Sequence, residues 1–294
     1  MGQRRPTEGH IVADGARLYY REVGEGLPVV VLHGGPDFDH RYLLPELDGL
    51  SDVARLVYYD QRGRGRSAAG VRPEDVTIAS EIADLEQLRR HLRVASVAVL
   101  GHSWGGLLAM EYATRHPDRV SHMILMNTAP ASYADWQLLR DHLRQVRTSA
   151  ELERMQAIAA TDAFRSGDID AETAYYRVHF RPALASEMIE PIVDRLRSHL
   201  DAKDVLRVRA IEDRLYGETA WSADFDLLPR LRALTMPTLV LHGEHDFIPV
   251  ALAAHIAEAT PGAALVVLPG CQHFVYLDAP EQVHEHIAAL VASG

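Results

Sequence analysis

The chain has 294 residues, 47% of them apolar, enough to bury the core of one large α/β domain carrying an insertion. Thirty basic against 41 acidic side chains leave a formal charge of −11, which argues against a nucleic-acid partner, because such proteins need basic patches to displace counterions. Cys271 is the only cysteine, so no intramolecular disulfide or cysteine-based metal cluster can form.

The N-terminus lacks the apolar stretch of a secretory signal, and no apolar run approaches the ~18 residues of a membrane span. The expectation is a cytoplasmic protein without a membrane partner. Ile11 to Val23 reads as a hairpin turning at Asp14-Gly15. Val29–Leu32 is a short apolar strand ending at His33-Gly34-Gly35-Pro36, and Leu56–Tyr59 is a second, ending at Asp60. From the capping residue Thr77, Ile78, Ile82, Leu85, Leu88 and Leu92 form a helical stripe. Further strands are expected at Val97–Leu100, Ile124–Met126, Thr238–Leu241 and Leu265–Leu268, with a closing helix over Gln282–Val291. Apolar strands alternating with helices predict a parallel sheet covered on both faces.

Between about Pro130 and Arg232 strand-like runs vanish and charged helical segments such as Ala150–Ala160 and Glu187–Leu200 take over. The expected organisation is therefore a core of residues 1–129 and 233–294 with a helical cap of residues 130–232. A cap at the carboxyl edge of an open sheet covers the place where ligands bind in such folds.

The sharpest chemical signal is Gly101-His102-Ser103-Trp104-Gly105-Gly106, which follows one strand and opens an apolar helix. G-x-S-x-G in that setting is a tight elbow that lifts the serine hydroxyl above the sheet, with glycines where the turn leaves no room for side chains. Ser103 is the candidate nucleophile, and the N–H of Trp104 is a candidate oxyanion donor. His33-Gly34-Gly35-Pro36 ends the first apolar strand and resembles an oxyanion loop. Gly35, or less readily Gly34, would give the second donor, while His33 braces the loop. The order Ser, acid, His is met by Asp246 just after one strand and His273 after the last. Glu244 competes as the acid, and His242 and His245 compete as the base. A metal site built from His242, Glu244 and His245 lacks the H-E-x-x-H spacing and is rejected, so no metal and no cofactor is expected. Arg62, Arg64 and Arg66, spaced by glycines, are read as loop braces in preference to a phosphate site. Gly34, Phe38, Phe247 and Phe274 are the candidate substrate-binding residues, with Tyr276 a further candidate wall and Cys271 a small buried filler.

Together these pieces identify the chain as resembling the α/β-hydrolase fold, and within it the proline iminopeptidase and tricorn-interacting aminopeptidase family. The resemblance rests on His33–Pro36, the stretch Asp60-Gln61-Arg62-Gly63-Arg64-Gly65-Arg66-Ser67, Gly101–Gly106, Gly243–Asp246 and His273, in that order. It extends more loosely to the cap segment Tyr175–Phe180 and to Trp221–Leu241. It implies a metal-free serine hydrolase that cleaves short N-terminal peptides.

Two departures bear on substrate. Relatives hold the substrate ammonium with cap glutamates, some adding a glutamate directly after the triad acid, where this chain has Phe247. The W-x-x-W-E segment is absent. Glu212 and Glu218 lie near where a cap glutamate would fall, yet each reads as a solvated helix charge. Asp37, where relatives commonly have glycine, reads as a loop cap. Taken alone, the sequence therefore favours hydrolysis of a small ester, lactone or amide through an acyl-enzyme. The alternative is an aminopeptidase releasing N-terminal residues from short peptides, and a third reading is a non-catalytic receptor. The expected partner is a small-molecule or short-peptide substrate.

Overall fold

The computed structural model describes residues 6–292. Eight strands form one sheet: β1 Thr7–Ala13, β2 Ala16–Val23, β3 Pro28–Leu32, β4 Arg55–Tyr59, β5 Val97–His102, β6 Val120–Met126, β7 Thr238–Gly243 and β8 Ala264–Leu268. Their spatial order is β1-β2-β4-β3-β5-β6-β7-β8. β1 and β2 pair antiparallel as the expected hairpin, and β2 also runs antiparallel to β4. From β4 to β8 every pairing is parallel.

Side chains on the central strands alternate between two cores, as a sheet buried on both faces demands. Val30, Leu32, Val97 and Val99 enter one core, whereas Val29, Val31, Ala98 and Leu100 enter the other. Helices α1 (Ile78–His91) and α2 (Trp104–Arg115) contribute to the first core. Thr77 starts α1 with a reciprocal capping box to Ser80, and Ile78, Ile82, Leu85 and Leu88 are its buried stripe.

The helical insertion follows β6. It comprises α3 Tyr133–Val146, α4 Ser149–Ala159, α5 Asp162–Arg165, α6 Ile169–His179, α7 Ser186–Arg197, α8 Ala202–Glu218 and α9 Leu228–Leu231. After β7 come α10 Val250–Ala259, α11 Val275–Asp278 and α12 Pro280–Ala292. The insertion leaves and returns through a narrow neck. There Ser132 bridges Asp226, Tyr133 N donates to Phe225 O at 2.7 Å, and Leu227 N donates to Ala131 O at 2.8 Å. Among the described residues no helix is long and apolar enough to cross a membrane.

The strand order fixes where a site can form. The chain passes from β3 to β4 on one side, then crosses back to β5 on the other side of β3. The loops after β3 and β5 thus diverge at their carboxyl ends, opening the crevice that binds ligands in this class of sheet.

Candidate active site

Ser103 sits in that crevice, at the end of β5, with φ 56° and ψ −120°. Such a conformation costs a non-glycine residue on the order of 1–3 kcal/mol and persists only where its surroundings over-determine it. Here they do. Ser103 N donates to Met126 O at 3.0 Å, and Ser103 O accepts from Gly106 N and Ala129 N, each at 2.9 Å. The glycines are steric necessities. A Cβ on Gly101 would lie 2.2 Å from Gly105 O, and one on Gly105 would lie 2.1 Å from Leu32 O.

His273 and Asp246 come together from the loops after β8 and β7. His273 Nδ1 is 2.9 Å from Asp246 Oδ1 and 3.1 Å from Oδ2. Asp246 also accepts from Asn127 Nδ2 at 2.7 Å and from Ile248 N at 3.0 Å. Burial pushes its carboxyl up, but His273, the charge of His242 and the Ile248 N–H outweigh burial and hold it below the ordinary aspartate value. The rivals lie elsewhere. Glu244 is exposed and accepts from Gly270 N at 2.9 Å, so it ties down the loop ahead of His273. His242 gives its Nε2 to Ile248 O at 2.7 Å behind Asp246, and the side chain of His245 is 63% exposed.

The loop after β3 splits the roles proposed for its two glycines. Gly35 lines the same pocket as Ser103, at φ +112°, and a Cβ there would meet Asp37 N at 2.2 Å. Gly34 is a correction to the substrate-binding set. It packs against Ser103 but lies outside the pocket wall, and its N–H is taken by the Tyr42 hydroxyl at 2.8 Å. His33 braces the loop as expected: its Nδ1 reaches Gly34 O at 3.0 Å, and its Nε2 accepts from Gln61 N at 3.1 Å. Burial, then the charge of Arg64, lowers its pKa to about 4, so the ring is neutral. The arginines of that stretch are ion-paired, Arg62 with Asp84, Arg64 with Glu81 and Arg66 with Glu8.

Of the side chains whose ligand atoms could converge on a metal, the described residues contain Asp39, His40 and Asp60 as a group. All three are engaged internally. Asp60 accepts from His40 Nδ1 at 2.6 Å and Arg66 N at 2.8 Å, and Asp39 pairs with Arg41 at 2.8 Å and His199 at 2.9 Å.

Ser103, His273, Gly35 and Trp104 line one cavity of about 220 Å³. Phe38, Phe247 and Phe274 line it too, whereas Tyr276 does not; its hydroxyl donates to Tyr42 O at 3.0 Å. Trp104 opens α2, where a backbone N–H has no acceptor within the helix. The Phe247 and His273 ring centroids are 4.4 Å apart. Cys271 is buried, as expected of a filler.

The rest of the wall comes from the insertion, and here sequence reasoning missed most of it. Trp136 and Leu139 on α3, Tyr175, Tyr176 and His179 on α6, and Tyr216 on α8 all line the cavity. Glu212 is a second correction: it lines the pocket and is not a solvated helix charge. Burial, then the nearby charge of Asp37, pushes its carboxyl well above the ordinary glutamate value. Glu218 is elsewhere, accepting from Ile78 N at 3.1 Å at the start of α1. Asp37 reaches the pocket but is taken by an ion pair with the fully buried Arg197 and by the Tyr176 hydroxyl at 2.9 Å. Arg209 pairs with Glu172. Arg197 and Arg209 are thus matched to Asp37 and Glu172, and no ion pair to Glu212 is found among the described residues.

Known proteins agree with this architecture. A proline iminopeptidase of Lactiplantibacillus plantarum is 28% identical over 282 residues, covering 90% of this chain and 93% of that protein. The crystal structure of a proline iminopeptidase from Mycobacterium smegmatis superposes with a TM-score of 0.72 at 21% identity, covering 98% of both chains. An enol-lactonase from Burkholderia xenovorans LB400 superposes with a TM-score of 0.71 at 24% identity, covering 97% of this chain and all of that one. At such identities these structures speak for the fold alone. The family model for the alpha/beta hydrolase fold matches residues 28–280, and the chain belongs to that family.

Proposed function

We propose that the protein is a serine hydrolase that removes an N-terminal residue from a short peptide or aminoacyl amide. Ser103 Oγ attacks the scissile carbonyl while His273 accepts its proton, and Asp246 holds the imidazole with Nδ1 protonated. The N–H groups of Gly35 and Trp104 receive the oxyanion, each contributing ~3 kcal/mol to lowering the barrier. His273 then protonates the departing amine, and a water activated by the same ring releases the acyl group from Ser103.

The observation that supports the substrate class is Glu212, an acid that lines the pocket holding Ser103 and has no ion pair among the described residues. Burial and Asp37 disfavour the charged form of this carboxyl, and a substrate ammonium beside it would favour that form again as an ion pair, which makes it a fitting cation site. This outweighs the inference from Phe247, which rested on finding no acid for the amine. The small ester or lactone reading keeps one observation in its favour: the aromatic walls also suit an uncharged acyl group.

A paired assay separates the two. Prolyl and alanyl arylamides should be cleaved, N-acetylation should lower kcat/KM by roughly 10²-fold, and Ser103→Ala should abolish turnover of both. If acetylated and free substrates react equally, or short acyl esters and lactones are preferred, the amine requirement is wrong. Turnover surviving in Ser103→Ala would overturn the nucleophile as well.

A further inference from the structure

The pocket has a second pole, formed by His179 at the end of α6 and Arg147 just after α3. Arg147 Nη2 lies 3.3 Å from His179 Nδ1 and 3.1 Å from His179 O, so one guanidinium grips both the ring and the helix terminus. A guanidinium only donates, which makes Nδ1 the acceptor. Burial, then the charges of Arg147 and Arg197, lowers the His179 pKa to about 3, so the ring is neutral and its one proton sits on Nε2. The ring is also held in orientation. Tyr175 stacks on it at 18° with centroids 6.3 Å apart, and Tyr176 and Phe180 pack at 5.6 Å and 5.2 Å. His179 lines the cavity with a cation held against its Nδ1, which leaves Nε2–H as the donor this ring has to offer.

Resting on the aminopeptidase reading above, we propose that His179 and Arg147 form a subsite for the substrate's C-terminal carboxylate, so that the preferred substrate is a free dipeptide. A carboxylate is the acceptor that such a donor selects, since a hydrogen bond to an ionised partner is about twice as strong as one between neutral groups. Tyr175, Glu212 and His179 all line the same cavity as Ser103. That one cavity is about 220 Å³, so a single short substrate can meet Ser103, Glu212 and His179 together. In the bound dipeptide the ammonium lies at Glu212, the scissile carbonyl at Ser103 and the carboxylate at His179. Water adds across the amide bond, the acyl carbon gaining oxygen and the leaving nitrogen gaining the proton from His273. The carboxylate takes no part in the chemistry and only positions the leaving group.

The test compares kcat/KM for prolyl-alanine and prolyl-alanine amide, with a prolyl arylamide as reference. Wild-type protein should prefer the free acid by at least about 10-fold. His179→Phe, which keeps the ring packing but removes the donor, should bring the ratio close to one. Arg147→Gln, which keeps a donor to Nδ1 but removes the charge, should bring it most of the way. A wild-type ratio near one, or a preference that survives both substitutions, overturns the subsite. If that happens while the arylamide is still turned over in a Ser103-dependent way, the aminopeptidase reading stands alone; no turnover of any free-amine substrate removes both.

Discussion

His102 Nε2 lies 3.0 Å from the backbone oxygen of His273. Burial, then the charge of His273, lowers the His102 pKa to about 3, and a carbonyl can only accept, so the proton of this neutral ring is on Nε2. Its Nδ1 must then accept from the Tyr42 hydroxyl at 2.7 Å, and Tyr42 in turn accepts from Gly34 N. One chain of hydrogen bonds joins the loop after β3 to the loop carrying His273, through the residue just before Ser103. Tyr42→Phe should loosen both loops and lower kcat about 10-fold with little change in KM, since small misplacements of reacting groups are costly. Steady-state kinetics on an aminoacyl arylamide would check it, and wild-type kcat in that variant would reduce the chain to packing.

Asp246→Asn should lower kcat on the order of 10⁴-fold, because an amide favours the wrong tautomer of His273. Glu244→Gln should cost less than about 10-fold, acting only through the Gly270 N–H it accepts. Comparing the two variants by active-site titration and initial rates decides between the acids, and a reversed ranking would exchange their roles.

Glu212→Gln separates function from stability. An acid whose folded pKa lies above its unfolded value loses stability as pH rises beyond the ordinary glutamate range, because the unfolded chain ionises first. Removing the charge should therefore stabilise the protein by on the order of 1 kcal/mol at pH 8 and by almost nothing at pH 4. Urea unfolding at the two pH values measures this. The same substitution should cost roughly 10²-fold in kcat/KM on free-amine substrates. For those substrates wild-type kcat/KM should climb with pH above the usual carboxylate range as Glu212 ionises. A loss of stability at pH 8 would mean that Glu212 is already paired within the protein.

Gly105→Ala should destabilise by about 3 kcal/mol, since its methyl group would press on Leu32 O, a backbone atom that cannot step aside. Thermal unfolding monitored by circular dichroism is sufficient, and an unchanged melting temperature would show that the elbow can open.

The sheet was legible because its strands are short apolar runs ended by Gly, Asp or Pro, and the elbow because its glycines answer a steric demand local in sequence. The insertion was harder to read. Helix α8 is dense with charge, yet Val205, Val208, Ile211 and Leu215 form its buried stripe, and Glu212 stands four residues from both Val208 and Tyr216. Placing the acid on that stripe, instead of counting it among the helix charges, would have flagged it. The assignment of Gly34 failed for a different reason: the acceptor of its N–H is Tyr42, and nothing near Gly34 in the chain announces that pairing. Likewise Asn127 reaches Asp246 across 119 positions, from a strand end where its φ is +48°.

The neck at Ser132 and Asp226 has a consequence for how such a protein can change. Because β6 and β7 are neighbours in the sheet, the chain between them begins and ends at adjacent points, tied by two backbone hydrogen bonds. A change in the length of such a segment need not shift the register of β6 and β7, although contacts such as Arg197 with Asp37 and Arg195 with Glu46 also hold the insertion to the core. The pocket wall is shared as well, with Phe38, Phe247 and Phe274 from the core and Trp136, Tyr175, His179 and Glu212 from the insertion. A library over residues 133–225 would vary the insertion's share of the pocket wall while keeping Ser103, Asp246 and His273 unchanged.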